Sequence, residues 1–224
     1  MSLATITAAN SAWKPSYNEP VFVITGGSSG IGQAMVEAFA KLTNGRAHIY
    51  ILARNEAAAQ RILSSLPDGR GPDSQDVQWK RQFIRCDVTL MKNVKKTCLQ
   101  LVEELPKINF FVICSGYLSL TGRVDTEEGI DEQMAVRYYS RWRLIHDLMP
   151  LLRKARDAGE DARVMSVLAA GQKIPTSIKL DDLGLKKNYS GFSAAGLTAI
   201  YNDYGLEVRF FFTLSRLTFC VGVL

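Results

Sequence analysis

The sequence predicts an α/β fold: a doubly wound parallel sheet with helices on both faces. Three observations predict it. Residues 21–24, Val-Phe-Val-Ile, form a short apolar run that feeds the glycine-rich turn Thr25-Gly26-Gly27-Ser28-Ser29-Gly30-Ile31-Gly32, and a helical pattern follows. Further apolar runs alternate with amphipathic stretches, the order that builds parallel strands joined by helices. The chain has 224 residues, 47% of them hydrophobic, enough for one domain with a full core.

Taken in order, residues 1–18 read as an N-terminal extension and 19–224 as a single domain. The extension lacks a charged start and a long apolar run, so it does not read as a signal peptide. Val21–Ile24 is the first strand. The helix after the turn carries Ile31, Met35, Ala38, Phe39 and Leu42 near a 3.6-residue period. His48–Ala53 is a second strand, and Pro67–Asp76, crowded with Gly, Pro, Asp and Ser, is the expected flexible stretch. A third strand lies within Val77–Cys86. Val94, Cys98, Leu101, Val102 and Leu105 mark the next helix, Phe110–Cys114 a fourth strand. Met134, Tyr138, Trp142, Ile145, Met149 and Leu152 make a longer helical stripe. Val164–Leu168 is a fifth strand, and Val208–Phe212 a sixth. Crossovers between such strands are right-handed, and ligands bind beyond the strands' carboxyl ends.

The turn carries the chemistry. Gly26 and Gly30 accept unusual backbone angles and present no Cβ to a phosphate; Gly32 lets the helix pack close to the strand. The helix N-terminus then offers free N–H groups and its positive dipole end. Thr25, Gly26, Ser28, Ser29, Gly30, Ile31 and Gly32 are thus candidate ligands of a nucleotide diphosphate. An acidic residue at the end of the second strand would bind the ribose 2′-hydroxyl of NAD. Here that strand ends in Ala53-Arg54-Asn55. The guanidinium of Arg54 suits the 2′-phosphate of NADP, so NADP is the expected cofactor.

Thr25-Gly26-x-x-x-Gly30-x-Gly32 resembles the cofactor motif of the short-chain dehydrogenase/reductase family, whose fold is of the Rossmann type. Cys86-Asp87-Val88-Thr89 resembles the segment after its third strand, which implies that Asp87 and Val88 meet the adenine. Cys114-Ser115-Gly116 stands where the family has Asn-Ala-Gly, which places Ser115 and Gly116 against the ribose. Arg163–Val167 resembles the fifth strand. Asp181-Asp182-Leu183 resembles a segment of retinol-dehydrogenase-like and many fungal members. The resemblance covers about residues 18–205.

The family moves a hydride between nicotinamide and a carbonyl or alcohol, with a Tyr as proton donor or acceptor and a Lys four residues later to lower its pKa. No Tyr-x-x-x-Lys exists in this chain. Anchored on Asp181-Asp182-Leu183, the resemblance places the Tyr on Ala195, the Lys on Ala199, the Ser on Leu168 or Ala169 and the Asn on Arg137. General acid–base help of that kind contributes about 10²–10⁴-fold. Two substitutes are candidates. Arg137 would stabilise a developing alkoxide, or else form an ion pair with an acid such as Asp131 or Asp147. Tyr189 would act with Lys186 or Lys187.

The net charge of +5 is spread along the chain with no compact basic face, which argues against nucleic acid. Four scattered cysteines and two histidines argue against a zinc site and fit a reducing compartment, the cytoplasm. The apolar tail after Tyr204 is interrupted by Arg209 and Arg216, short of a membrane span, and shows no Pro-Gly turn. The expectation is therefore a shortened C-terminal part without the family's lid and last strand. The expected activity is NADP-dependent oxidoreduction of an apolar small molecule, of the terpenoid or polyketide kind, by a chain that forms homo-oligomers as family members do. The alternatives are a redox-inactive NADP-binding module and a non-redox cyclase or isomerase.

Overall fold

The computed structural model describes residues 2–13, 15, 17–70, 77–168, 178–212 and 218–223, with the backbone alone beyond Glu207. Six strands form one parallel sheet in the order β3-β2-β1-β4-β5-β6: β1 (Val21–Thr25), β2 (His48–Ala53), β3 (Arg81–Arg85), β4 (Phe110–Ile113), β5 (Arg163–Leu168) and β6 (Thr218–Val223). In register, Ile24 of β1 lies between Ile51 of β2 and Val112 of β4. The sheet is wound outward in both directions from β1 and β4. The stretch 71–76 of the expected flexible segment lies outside the described residues, as does Ala169.

Both faces are covered, which is why β1 is buried along its whole length. On one face Val23, Leu52 and Phe111 pack with α4 (Met91–Glu104) and α6 (Ser140–Asp157) through Leu101, Leu144 and Leu148. On the other, Ile24 and Ile51 pack with α2 (Gly30–Leu42) and α3 (Glu56–Ser65) through Val36, Phe39 and Ile62. The buried face of α2 is Gly32, Val36, Phe39 and Ala40. Ile31, Ala38 and Leu42, expected in the buried stripe, are exposed, because the face that packs on the sheet runs through Gly32, Val36, Phe39 and Ala40, one position further along the helix.

Residues 3–12 form an exposed helix, α1 (Leu3–Ala12). Trp13 nevertheless packs against Phe39 and Phe110, with ring centroids 6.3 and 5.7 Å apart. Asn109, fully buried, ties three strand entries together. Its Oδ1 accepts from Val21 N at 3.0 Å, and its Nδ2 donates to Glu160 Oε2 at 2.8 Å and to the Asp161 carbonyl at 3.0 Å.

The long stripe from Met134 is helical but interrupted. A short α5 (Glu132–Met134) passes into a π-helical turn, Ala135–Tyr139, before α6. The Arg137 carbonyl in that turn accepts from Asn202 Nδ2 at 3.0 Å, while Asn202 Oδ1 accepts from Trp142 Nε1 at 3.1 Å. Asn202 sits on α7 (Gly191–Phe212), so α7 is fastened across the π turn. Val208–Phe212, expected as the sixth strand, are the last turns of α7, and β6 follows at Thr218–Val223. No Gly or Pro between Leu206 and Phe212 stops the helix.

Candidate functional site

The first residue after each of β1, β2, β3 and β4 enters one cleft: Gly26, Arg54, Cys86 and Cys114. Its volume is about 740 Å³. Gly26, Ser28, Ser29, Gly30, Ile31, Gly32, Arg54, Asp87, Val88, Ser115 and Gly116 all line it. Of the expected cofactor residues only Thr25 lies outside this wall. It is fully buried at the end of β1, and its Oγ1 has no partner among the described residues.

Glycine is required at the turn by space as well as by angle. Gly26 has φ +74°, and a Cβ there would meet Ser115 N at 2.8 Å. A Cβ at Gly32 would overlap the Gly26 carbonyl oxygen. Gly30 also has a positive φ, +55°, but faces open space. Ser29 caps α2 with extended backbone and no side-chain hydrogen bond, and the first turn holds no acid. Among the leading N–H groups of α2, that of Gly32 is directed at the Cys114 thiol, and the Ser29 side chain does not cap the others.

Exposed Arg54 forms no ion pair among the described residues. Glu56, the nearest acid in sequence, is held by Arg85 at 3.1 Å. Arg61 lines the same end of the cleft with Asn55 and Ala58. Asn55, which caps α3, and Ala58 and Arg61 on it follow at intervals of three, a spacing that would have flagged Arg61 in the sequence. Asp87 closes a local turn, its Oδ1 accepting from Thr89 N at 3.0 Å and Thr89 Oγ1 at 2.8 Å. Thr89 and Tyr117 also line the cleft.

Arg137 donates from Nε to the Tyr117 carbonyl at 3.2 Å. The acids offered as its ion-pair partners are engaged elsewhere. Asp131 accepts from Met134 N and Val124 N, and Asp147 pairs with Arg143 at 2.5 Å and with His146. Burial lowers the Arg137 pKa. Neither Arg137 nor Tyr189 is among the residues that line the cleft. The Tyr189 hydroxyl accepts from Gln133 Nε2 at 2.8 Å. Lys187 Nζ is paired with Asp181, and the backbone N–H groups of Lys186 and Lys187 bond to Asp182. Burial, partly offset by the Gln133 bond, raises the Tyr189 pKa. That is opposite to what a phenol needs to exchange protons near neutrality. Ala195, where the resemblance places the Tyr, is fully buried.

Arg141 gave no signal in the sequence beyond lying one helical turn after Arg137. Its Nη1 donates to the Ile113 carbonyl at 3.1 Å and to Ser166 Oγ at 2.6 Å, and its Nη2 to the Ser115 carbonyl at 2.7 Å. It therefore fastens the Cys114–Gly116 wall to β5. Burial lowers its pKa to about 10, with the Cys114 thiol acting upward and the Arg137 charge downward. Burial also raises the pKa of Cys114, against opposing pulls from Arg141 and a Gly32 backbone hydrogen bond.

Residues 20–176 match the family described as short chain dehydrogenase, and the chain belongs to that family. It is 38% identical over 198 residues to oxidoreductase AN1596 of Emericella nidulans, covering 87% of this chain and 54% of the relative. It is 32% identical to oxidoreductase andH of Emericella variicolor, covering 91% and 58%. The chain thus spans about half the length of the curated relatives it matches. Two solved structures share the fold. An NADH-dependent reductase, A1-R′, complexed with NAD, superimposes with a TM-score of 0.65 at 21% identity, covering 91% of this chain and 77% of the other. RhlG of Pseudomonas aeruginosa, in an NADP complex, does so with 0.63 at 18%, covering 92% and 71%. No helix among the described residues is long and apolar enough to cross a membrane.

Proposed function

We propose that the cleft binds NADP and that the protein is an NADP-dependent oxidoreductase acting on a carbonyl or alcohol of an apolar small molecule. The observation that carries this reading is the cleft beyond β1, β2, β3 and β4, where the Gly26–Gly32 turn, Arg54, Asp87 and Ser115 line one space of about 740 Å³. The dinucleotide, when bound, supplies a hydride donor or acceptor. The α2 N–H groups hold its diphosphate. Arg54, with no carboxylate partner among the described residues, pairs with the 2′-phosphate. The remaining oxygen of Asp87 faces the adenine. Arg137, its guanidinium oriented by the Tyr117 carbonyl, stabilises negative charge on the substrate oxygen. Leu118, Leu120 and Phe192 are exposed where Gly191 meets Ser119, and they suit an apolar substrate. The reading extends to a role in fungal secondary metabolism, with terpenoid or polyketide substrates; the relatives named oxidoreductase in Emericella species support the oxidoreductase part of it.

The methyl groups at Ala195 and Ala199 favour a second reading, a redox-inactive NADP-binding module. Turnover of NADPH with apolar ketones separates the two. The cofactor choice is tested with Arg54→Ala. It is expected to weaken NADPH binding about tenfold or more, the scale of a charged hydrogen-bonded pair, and to leave NADH unchanged. Equal losses for both would contradict the assignment of Arg54 to the 2′-phosphate.

A further inference from the structure

We infer that Arg141 biases the cleft toward the reduced dinucleotide, so that the site is built to receive NADPH and to release NADP⁺. The inference rests on the proposed cofactor reading. With the diphosphate at the Gly26–Gly32 turn and Arg54 at the β2 side, the other half of the dinucleotide extends toward β4 and β5, across the switch in strand order. Arg141 lies under that half. It bridges the ends of β4 and β5 through the Ile113 carbonyl and Ser166 Oγ. A Cβ on Gly116, in the cleft wall, would stand 3.8 Å from its Nη2.

The charge of Arg141 is held but not neutralised. Its three hydrogen bonds end on two carbonyls and a hydroxyl, and its buried Nε has no partner among the described residues. No carboxylate among the described residues forms a salt bridge with it, and Asp147, on the same helix, pairs with Arg143 and His146. The sequence from Ala169 to Ser177 contains no Asp or Glu. Arg137, one turn away, adds a second cation rather than a counter-charge. Neutral acceptors solvate a guanidinium without cancelling its field, and in a poorly solvated wall that field reaches the ligand.

The oxidised nicotinamide ring carries one positive charge and the reduced ring none. The two forms differ by a hydride, and a fixed cation beside them repels only the oxidised one. Unit charges about 10 Å apart at an effective dielectric of about 20 shift a binding ratio by roughly tenfold. For a two-electron couple a tenfold ratio is about 30 mV in the potential of the bound cofactor. Arg141 is on this account a positioning and field-setting residue.

The test titrates the full chain with NADPH and with NADP⁺ and compares the two dissociation constants in wild type, Arg141→Lys and Arg141→Met. Wild type is expected to prefer NADPH by about tenfold or more. Arg141→Lys keeps the charge but loses the planar fork, and is expected to keep the preference. Arg141→Met is expected to lose most of it. If the Met variant does not fold, Arg141→Gln, which can still bond to a carbonyl, takes its place. Equal wild-type affinities, or an unchanged ratio in the neutral variant, would overturn the inference while leaving cofactor binding intact. Failure of either nucleotide to bind would overturn the cofactor reading and this inference together.

Discussion

Three glycines and two arginines carry most of the site. Gly26, Gly30 and Gly32 sit in one turn, yet they are not equivalent. Gly32 fails to accept a Cβ because backbone oxygen already occupies that space, whereas Gly30 is limited by its angle alone. Gly32→Ala is therefore expected to cost about 1–3 kcal/mol of stability, the usual scale of overpacking, and to weaken NADPH binding about tenfold or more. Gly30→Ala should cost roughly 1–2 kcal/mol for the left-handed backbone with a smaller effect on binding. Urea melts and nucleotide titrations check both, and equal behaviour of the two variants would contradict the packing argument. The turn glycines and Arg54 are legible in the sequence because they directly follow apolar strands. Arg141 is not. Its role depends on three acceptors, at residues 113, 115 and 166, that the fold alone brings together.

Among the elements, β1, β2, β4 and β5 are legible to within a residue or two, since strands buried on both faces read as continuous apolar runs. The end of the chain is not. A short apolar run such as Val208–Phe212 suits a strand or a buried helix equally by period, and the helix continues because no Gly or Pro follows Gly205 in α7. The π turn at Ala135–Tyr139 is hidden for a related reason: Met134, Tyr138 and Trp142 keep a spacing of four through the insertion. The link from the 3₁₀ turn Leu180–Asp182 to α7 depends on one carboxylate. Asp182 accepts N–H bonds from Lys186 at 2.6 Å, Lys187 at 3.2 Å and Asn188 at 3.1 Å. Burial pushes its pKa up, but these backbone bonds outweigh it and the net shift is downward. A carboxyl whose folded pKa is depressed contributes stability that is present above its unfolded value, about 3.9. That stability is lost as pH falls through the folded value. Asp182→Asn is thus expected to lower stability near neutrality and to flatten its decline below about pH 4. Urea midpoints measured from pH 6 down to pH 2.5 test this; parallel declines in the two proteins would contradict it.

At the scale of the whole molecule, the parallel order β3-β2-β1-β4-β5-β6 places a switch between β1 and β4 and opens a cleft above it. Arg54 and Arg61 stand toward one end, while Arg141 underlies the Ser115–Gly116 wall toward β4 and β5. A dinucleotide carries its phosphates at the diphosphate bridge and the adenosine end, and a ring whose charge depends on redox state at the other. The distribution of cations matches that order. The most direct measurement is a calorimetric or fluorescence titration of the purified, folded chain with NADPH. The account predicts saturable binding of one NADPH per chain at micromolar concentrations, weakened by Arg54→Ala. A folded chain that shows no saturable binding of NADPH or NADH at millimolar concentrations would contradict it.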